Sequence, residues 1–193
     1  MGHYLTILAS NIVVNNFVLT RFLGLCIFFG VSKSLSASVG MGMAVTSVMT
    51  LSSMLAWVLY HFVLLPFNLT FLTTAVFVLL IASFVQLTEL VIKKYAPTLY
   101  NMWGIYLLLI ATNCIVLSVP LINVENNYSF LDSTVTAVGA GLGFALAITL
   151  MASLREKLRL ADVPKSLEGL GVAFILAGML ALAFLGFSGM ISI

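Results

Sequence analysis

The sequence predicts an all-α integral membrane protein of six transmembrane helices. They are arranged as two inverted three-helix repeats, with helices one and four broken and both termini outside. Three observations carry that reading. The chain of 193 residues is 62% hydrophobic and only 7% charged. A soluble domain needs about 25% charged residues to cover its surface, so lipid is the expected solvent. Six apolar segments each approach the ~20 residues that a spanning helix requires. Finally, the basic residues gather in alternate loops, and a weak self-similarity relates the two halves.

The segments run in order from about Tyr4 to Phe29, Ala37 to Leu59, Thr70 to Ile92, Tyr100 to Val119, Leu131 to Ala152 and Gly169 to Met190. The first residues lack a basic stretch and the first apolar run is too long for a cleaved leader, so that segment is itself expected to insert. The loops are short, which makes consecutive helices antiparallel neighbours. One domain, 1–193, is expected, with no linker.

Orientation follows from Lys and Arg. Lys33 lies in loop one, Lys93 and Lys94 in loop three, and Arg155, Lys157, Arg159 and Lys165 in loop five. Loops two and four hold none; loop four carries Glu125 and Asp132 instead. The eighth basic residue, Arg21, falls inside segment one. Odd loops are therefore expected in the cytoplasm.

The repeat is read from three matches. Val18-Leu19 matches Val116-Leu117, Val39-Gly40-Met41-Gly42 matches Val138-Gly139-Ala140-Gly141, and Phe77-Val78-Leu79 matches Phe174-Ile175-Leu176. The offsets are 98, 99 and 97. Repeat one covers about 1–97 and repeat two about 98–193. Each has three helices, an odd number, so the second inserts upside down. Folds of this plan place their functional site near the midplane, on discontinuous helices.

Two polar interruptions fall in corresponding places, Asn15-Asn16 in segment one and Thr112-Asn113 in segment four. Such a pair either hydrogen-bonds between helices or breaks its helix, because Asn competes for backbone bonds. Broken backbone at membrane depth must be buried in protein or line a cavity. Its recurrence favours the break.

The chain holds two cysteines, Cys26 and Cys114. A free Cys is commonly a small buried hydrophobe; the other reading is a metal ligand. On straight helices the two would differ in depth by on the order of 15–20 Å. A shared site therefore requires both helices to break. Two thiolates do not complete a tetrahedral site or a two-iron cluster, and His3 and His61 lie near the outer face. A partner would have to supply the other ligands.

Arg21, between the two halves of the first motif, is expected to face the bundle interior. Glu89 reads as one end of an i,i+4 ion pair with Lys93, or as an ionisable group on an ion path. Gly139-x-Gly141-x-Gly143 has no preceding strand and reads as close helix packing. Loop five is the largest charged surface and the natural dock for a cytoplasmic partner. The sequence contains no phosphate-binding loop, no Cys-x-x-Cys, no serine-hydrolase elbow and no stretch for covalent flavin attachment.

Val14-Asn15-Asn16-Phe17-Val18-Leu19 with Phe22-Leu23-Gly24-Leu25-Cys26, then Thr112-Asn113-Cys114, Ala161-Asp162-Val163-Pro164 and Gly186-Phe187-Ser188-Gly189, resemble the RnfA/NqrE family over essentially the whole chain. These are membrane subunits of the bacterial Rnf complex and of the sodium-pumping NADH:quinone reductase. Val-Asn-Asn-Phe resembles the Rnf branch. Ile27 stands where many relatives carry Pro, which touches local backbone shape rather than a ligand.

The resemblance implies a multi-pass subunit of the bacterial inner membrane, with both termini periplasmic. It implies a redox-driven complex that couples ferredoxin/NAD electron transfer to Na⁺ or H⁺ transport, in which this chain is one part of a translocase and not catalytic alone. A homologous RnfE-like subunit would share one 2Fe-2S cluster with Cys26 and Cys114. Asn15, Asn16, Thr112 and Asn113 would shape the breaks and Arg21 would offset the cluster's charge. RnfB, RnfC, RnfD and RnfG-like subunits and membrane lipid would be partners, with no nucleic acid and no covalent flavin on this chain. The alternatives are an inverted-repeat transporter or channel half that binds an ion or small solute at the Asn pairs, and a purely structural scaffold.

Overall fold

A computed structural model describes residues 2–32, 34–67, 70–95, 109–110, 112–158 and 169–187. These residues form helices and turns only. Lys33, Tyr100, Arg159, Asp162, Lys165 and Met190, on which parts of the sequence reading fall, lie outside them, as does the His3 side chain.

The first segment is interrupted. Helix α1 spans Gly2–Ala9 and widens into a π-helical turn at Ser10–Val14. The chain then leaves helical geometry and re-enters it only at α2, Leu25–Val31. Helix α3, Leu35–Leu59, also ends in a π-helical turn, Tyr60–Leu64. Helix α4 covers Thr73–Tyr95 after a short 3-10 turn, and carries Lys93 and Lys94 in its last turn.

The second half begins with Leu109 and Ile110 in helical geometry and Thr112 in a turn. Helix α5 then restarts at Cys114 and runs to Glu125. It passes the expected end at Val119 and continues through Pro120. Membrane helices accommodate such a proline because neighbours re-satisfy the freed backbone groups. Helix α6, Phe130–Leu158, is six residues longer at its C-terminus than the apolar pattern implied, because Arg155 and Lys157 belong to its last turn. Ser129 starts it. Its hydroxyl accepts from the Asp132 N–H at 3.3 Å, as an N-cap side chain does, and donates to Asp132 Oδ2 at 2.6 Å. Helix α7 covers Leu170–Leu185.

Among the described residues three helices are long and apolar enough to span a membrane: Leu35–Leu64, Thr70–Leu90 and Phe130–Leu158. Tyr4–Val14, Cys114–Glu125 and Leu170–Leu185 are shorter. Two of the short ones adjoin the interruptions.

Helices α3 and α6 form the central pair, with the most extensive contact among the described residues. Between membrane helices burial from water supplies little drive, so close approach of small residues decides the packing. A methyl group on Gly42 of α3 would stand 2.7 Å from Ala145 Cβ of α6. A methyl on Gly141 of α6 would stand 2.7 Å from Thr46 Cγ2 of α3. The two contacts are reciprocal: Gly42 and Gly141 are 99 residues apart, and so are Thr46 and Ala145. Gly139 and Gly143 likewise admit Asn11, whose Cβ and carbonyl oxygen would lie 3.1 and 2.9 Å from added methyls. The Gly-x-Gly-x-Gly stretch is thus a packing surface.

Candidate functional site

The first interruption is built by Asn16. Asn15 caps the π turn; its N–H donates to the Ser10 carbonyl at 2.7 Å, and its exposed side chain donates to Ser10 Oγ. Asn16 is wholly buried. Its Oδ1 accepts from the Val18 N–H at 3.1 Å, and its Nδ2 donates to the carbonyls of Ile12 and, at 2.8 Å, Gly143. Its own carbonyl accepts from the N–H groups of Leu19 and Thr20 and from the Thr20 hydroxyl. One side chain and one carbonyl therefore replace the helical ladder that the chain abandons, as burial in a low-dielectric interior demands.

The fold-back buries Phe17, Val18 and Leu19 in the main core. Phe22 adopts φ 55° and Gly24 φ 79°, left-handed backbone that glycine enters freely and phenylalanine does not. Strain at such a turn persists only where surrounding structure imposes it.

This geometry corrects one expectation. Arg21 does not face the interior of this chain: it is exposed, with its guanidinium carbon 5.4 Å from the centroid of the Phe17 ring. The break turns Phe17-Val18-Leu19 inward, and the residues after them turn out. A cation over a ring face is held at modest energy, so Arg21 remains a positive charge on the surface beside the break.

The second interruption uses the same device. Asn113 is buried, has extended backbone (φ −77°, ψ 122°), and caps α5 by accepting the Ile115 N–H on Oδ1 at 3.3 Å. Asn16 and Asn113 thus each accept the N–H two residues ahead, 97 residues apart. The apolar matches aligned Asn15 with Asn113; the hydrogen bonds pair Asn16 with it instead. The Asn113 Nδ2 has no hydrogen-bond partner among the described residues. Thr112 is exposed in the turn before it.

The two restarts meet. Gly24 precedes α2 and Asn113 precedes α5. A methyl on Gly24 would lie 3.1 Å from Asn113 Oδ1, 3.4 Å from Ile115 Cγ2 and 3.5 Å from Phe144 Cε2. A side chain at Gly24 would crowd this contact, and glycine lets the two helix starts abut without displacement. Cys26 is the second residue of α2 and Cys114 the first of α5. Both thiols are free and exposed. An unligated cysteine is among the most buried residue types, so two exposed thiols on adjoining helix starts are not explained as core fillers. Each is a soft donor suited to zinc, copper(I) or iron–sulfur chemistry. Among the described residues no group of three His, Cys, Asp or Glu could hold a metal, so these two donors can serve as part of a site.

The remaining candidates lie elsewhere. His61 stacks on Trp57, ring centroids 5.0 Å apart. Glu89 is half-buried on α4. Sequence reasoning missed Gly24 as a contact residue, although Phe-Leu-Gly-Leu-Cys displayed it. It also missed two long-range donors, Trp57 and Arg155, whose 98-residue spacing, within the 97–99 offsets of the apolar matches, was the available signal.

Comparison with known proteins finds membrane relatives along nearly the whole chain. The family model described as Rnf-Nqr subunit, membrane protein, matches residues 4–191. The chain is 80% identical, over the full length of both proteins, to the A component of the proton-translocating ferredoxin:NAD(+) oxidoreductase complex of Clostridium ljungdahlii. It is 54% identical to the A component of the Na(+)-translocating ferredoxin:NAD(+) oxidoreductase complex of Acetobacterium woodii, over 95% of this chain and 96% of that one. It is 49% identical, over the full length of both, to the A component of the ion-translocating oxidoreductase complex of Sodalis glossinidius. With nearly its whole length matched, the chain belongs to the Rnf-Nqr subunit family of membrane proteins.

Proposed function

We propose that this chain is the A component of an ion-translocating ferredoxin:NAD oxidoreductase, and that Cys26 and Cys114 supply half the ligands of a 2Fe-2S cluster completed by a homologous subunit. The activity is supported by the names of the full-length relatives. The cluster reading is carried by one observation: both interrupted segments restart side by side, Gly24 against Asn113, each presenting an exposed thiol in its first turn. The donor chemistry fits, since such clusters take thiolates and usually four of them, and this chain offers two.

When bound, the cluster supplies one-electron transfer inside the membrane. The residues of this chain hold its ligands. Asn16 and Asn113 satisfy the backbone at the two breaks, Gly24 permits the approach, and Arg21 contributes a positive charge at the chain surface. The RnfE-like partner would present the other two thiols, and RnfB, RnfC, RnfD and RnfG-like subunits would complete the assembly. We further read the chain as six spans in two inverted repeats in the bacterial inner membrane, with both termini external. The reciprocal Gly42–Ala145 and Gly141–Thr46 contacts and the matched Asn16 and Asn113 bonds support the repeat. Lys93 and Lys94 at the end of α4 and Arg155 and Lys157 at the end of α6 support the orientation.

A transporter half that binds solute at the Asn pairs has less support. The Asn16 amide is committed to Val18, Ile12 and Gly143, and Asn15 already bonds Ser10. The test is electron paramagnetic resonance of the reduced, purified complex. A 2Fe-2S signal abolished separately by Cys26→Ser and by Cys114→Ser is expected. If either variant assembled with its signal and electron transfer intact, the ligand assignment would be abandoned.

A further inference from the structure

The half-helices that carry the two thiols are short. Helix α2 has seven residues and α5 twelve, lengths at which a helix has little stability of its own. What fixes each thiol is therefore what holds the two ends of its half-helix. At the N-terminal ends, Gly24 lies close against Asn113. The C-terminal ends are held from a distance.

Arg155, in the last turn of α6, reaches back to the end of α2. Its Nη1 donates to the Phe29 carbonyl at 3.0 Å and to Ser32 Oγ at 2.8 Å. Phe29 is among the last residues of α2, whose carbonyls lack intrahelical partners. A guanidinium there also faces the negative end of the helix dipole. Trp57, near the end of α3, reaches to the far end of α5. Its Nε1 donates to the Tyr128 carbonyl at 3.0 Å, three residues past Glu125. The Trp57 ring is fixed by stacking on His61 and by an edge contact with Phe130.

Trp57 and Arg155 are 98 residues apart, the interval of the internal repeat, and their acceptors Phe29 and Tyr128 are 99 apart. Each donor stands near the end of a central helix in one half of the chain and crosses to the cysteine-bearing half-helix of the other. The contacts are related as the Gly42–Ala145 and Gly141–Thr46 contacts are.

We propose that Arg155 and Trp57 are paired positioning residues, Arg155 for Cys26 and Trp57 for Cys114. Each sets the depth and tilt of one thiol by holding the far end of its half-helix. The proposal rests on the reading of the two cysteines as ligands. The two ends are held by different chemistry: a cation, Arg155, at the end of α2, and at the end of α5 the neutral Trp57 indole together with Asn123, whose Nδ2 donates to Ser53 Oγ at 3.0 Å and to the Ser133 carbonyl at 3.3 Å.

The test uses the purified complex and its two thiols as separate reporters. Complexes carrying Arg155→Gln, Arg155→Lys or Trp57→Phe are exposed to a maleimide, and adducts on Cys26 and Cys114 are counted individually by mass spectrometry. Resonance spectra of the reduced complexes are recorded in parallel. Loss of a charged hydrogen bond at the end of a short helix raises local opening about tenfold. Arg155→Gln is therefore expected to speed labelling of Cys26 by about that factor and to leave Cys114 within about twofold. Trp57→Phe is expected to do the reverse by a smaller factor, and Arg155→Lys to fall between Arg155→Gln and the unaltered complex. Labelling that rises equally at both thiols, or at neither, overturns the proposal. If Arg155→Gln does not assemble, the crossed pattern between Arg155→Lys and Trp57→Phe decides the matter alone. Failure of the cluster reading is seen differently, as no 2Fe-2S signal in the unaltered complex.

Discussion

Asn16 Nδ2 lies 2.8 Å from the carbonyl oxygen of Gly143, across 127 residues of sequence. That bond ties the break in the first apolar segment to the helix at the centre of the molecule. It forms because Gly143 has no side chain to keep the two apart: a methyl there would stand 2.9 Å from the Asn11 carbonyl and 3.3 Å from Asn16 Nδ2.

Removing Asn16 has a defined cost. Asn16→Ala strands the buried Val18 N–H, and an unsatisfied buried group costs about 1–3 kcal/mol; the Gly143 carbonyl, inside α6, keeps its helical partner. The variant complex is expected to lose roughly 1–3 kcal/mol and to aggregate at lower temperature on a thermal ramp. Asn15→Ala, at an exposed position with one side-chain bond, is expected to stay within about 0.5 kcal/mol. Equal losses for the two would contradict the assignment of the break to Asn16.

The central crossing makes a second prediction. Gly141→Val places two methyls where Thr46 Cγ2, Cα and Cβ already lie within 2.7–2.9 Å of the first added carbon. Overpacking of this kind costs about 1–3 kcal/mol, read as a lower melting temperature and a lower yield of assembled complex. Gly178 of α7 has nothing within 4 Å of an added carbon. Gly178→Ala is expected to be neutral or to gain up to about 1 kcal/mol.

Gly24 couples backbone and site. Gly24→Ala must hold alanine at φ 79° and push its methyl to 3.1 Å from Asn113 Oδ1. The left-handed conformation alone costs about 1–2 kcal/mol. The expected result is an assembled complex whose 2Fe-2S signal is weaker or altered in shape. An unchanged signal would mean that the helix starts need not touch.

Orientation is tested by reporters. A fusion after Ile193 is expected to read as external, and one inserted between Lys93 and Lys94 as cytoplasmic. A cytoplasmic C-terminus would remove the inverted repeat together with the orientation.

Much of this architecture could be read before any coordinates. Composition pointed to membrane helices, and the polar residues Asn15-Asn16 and Thr112-Asn113 marked where two of them stop. Cys26 and Cys114 could share a site only if both helices broke, and the restarts at Leu25 and Cys114 lie on the expected segments. What stayed hidden was whatever depends on distant partners. Arg21 looked interior because it sits between buried residues in sequence, and only the course of the fold-back turns it outward. Phe22 at φ 55° carries no mark in its chemistry. Arg155 looked like one more cytoplasmic charge, because nothing local points it at Phe29, 126 residues away. The apolar matches pair Asn15 with Asn113, whereas the hydrogen bond each residue accepts from the N–H two ahead pairs Asn16 with Asn113; apolar matches slide easily in so hydrophobic a chain.

The central claim is that two broken helices bring Cys26 and Cys114 into one shared centre. The most direct measurement is the separation of their two sulfurs in an experimental structure of the assembled complex. The two are predicted to lie within several ångström of each other and, across one iron–sulfur density, to face two cysteine sulfurs of the partner. Sulfurs separated by ~15 Å or more, the depth difference of straight helices, would contradict it.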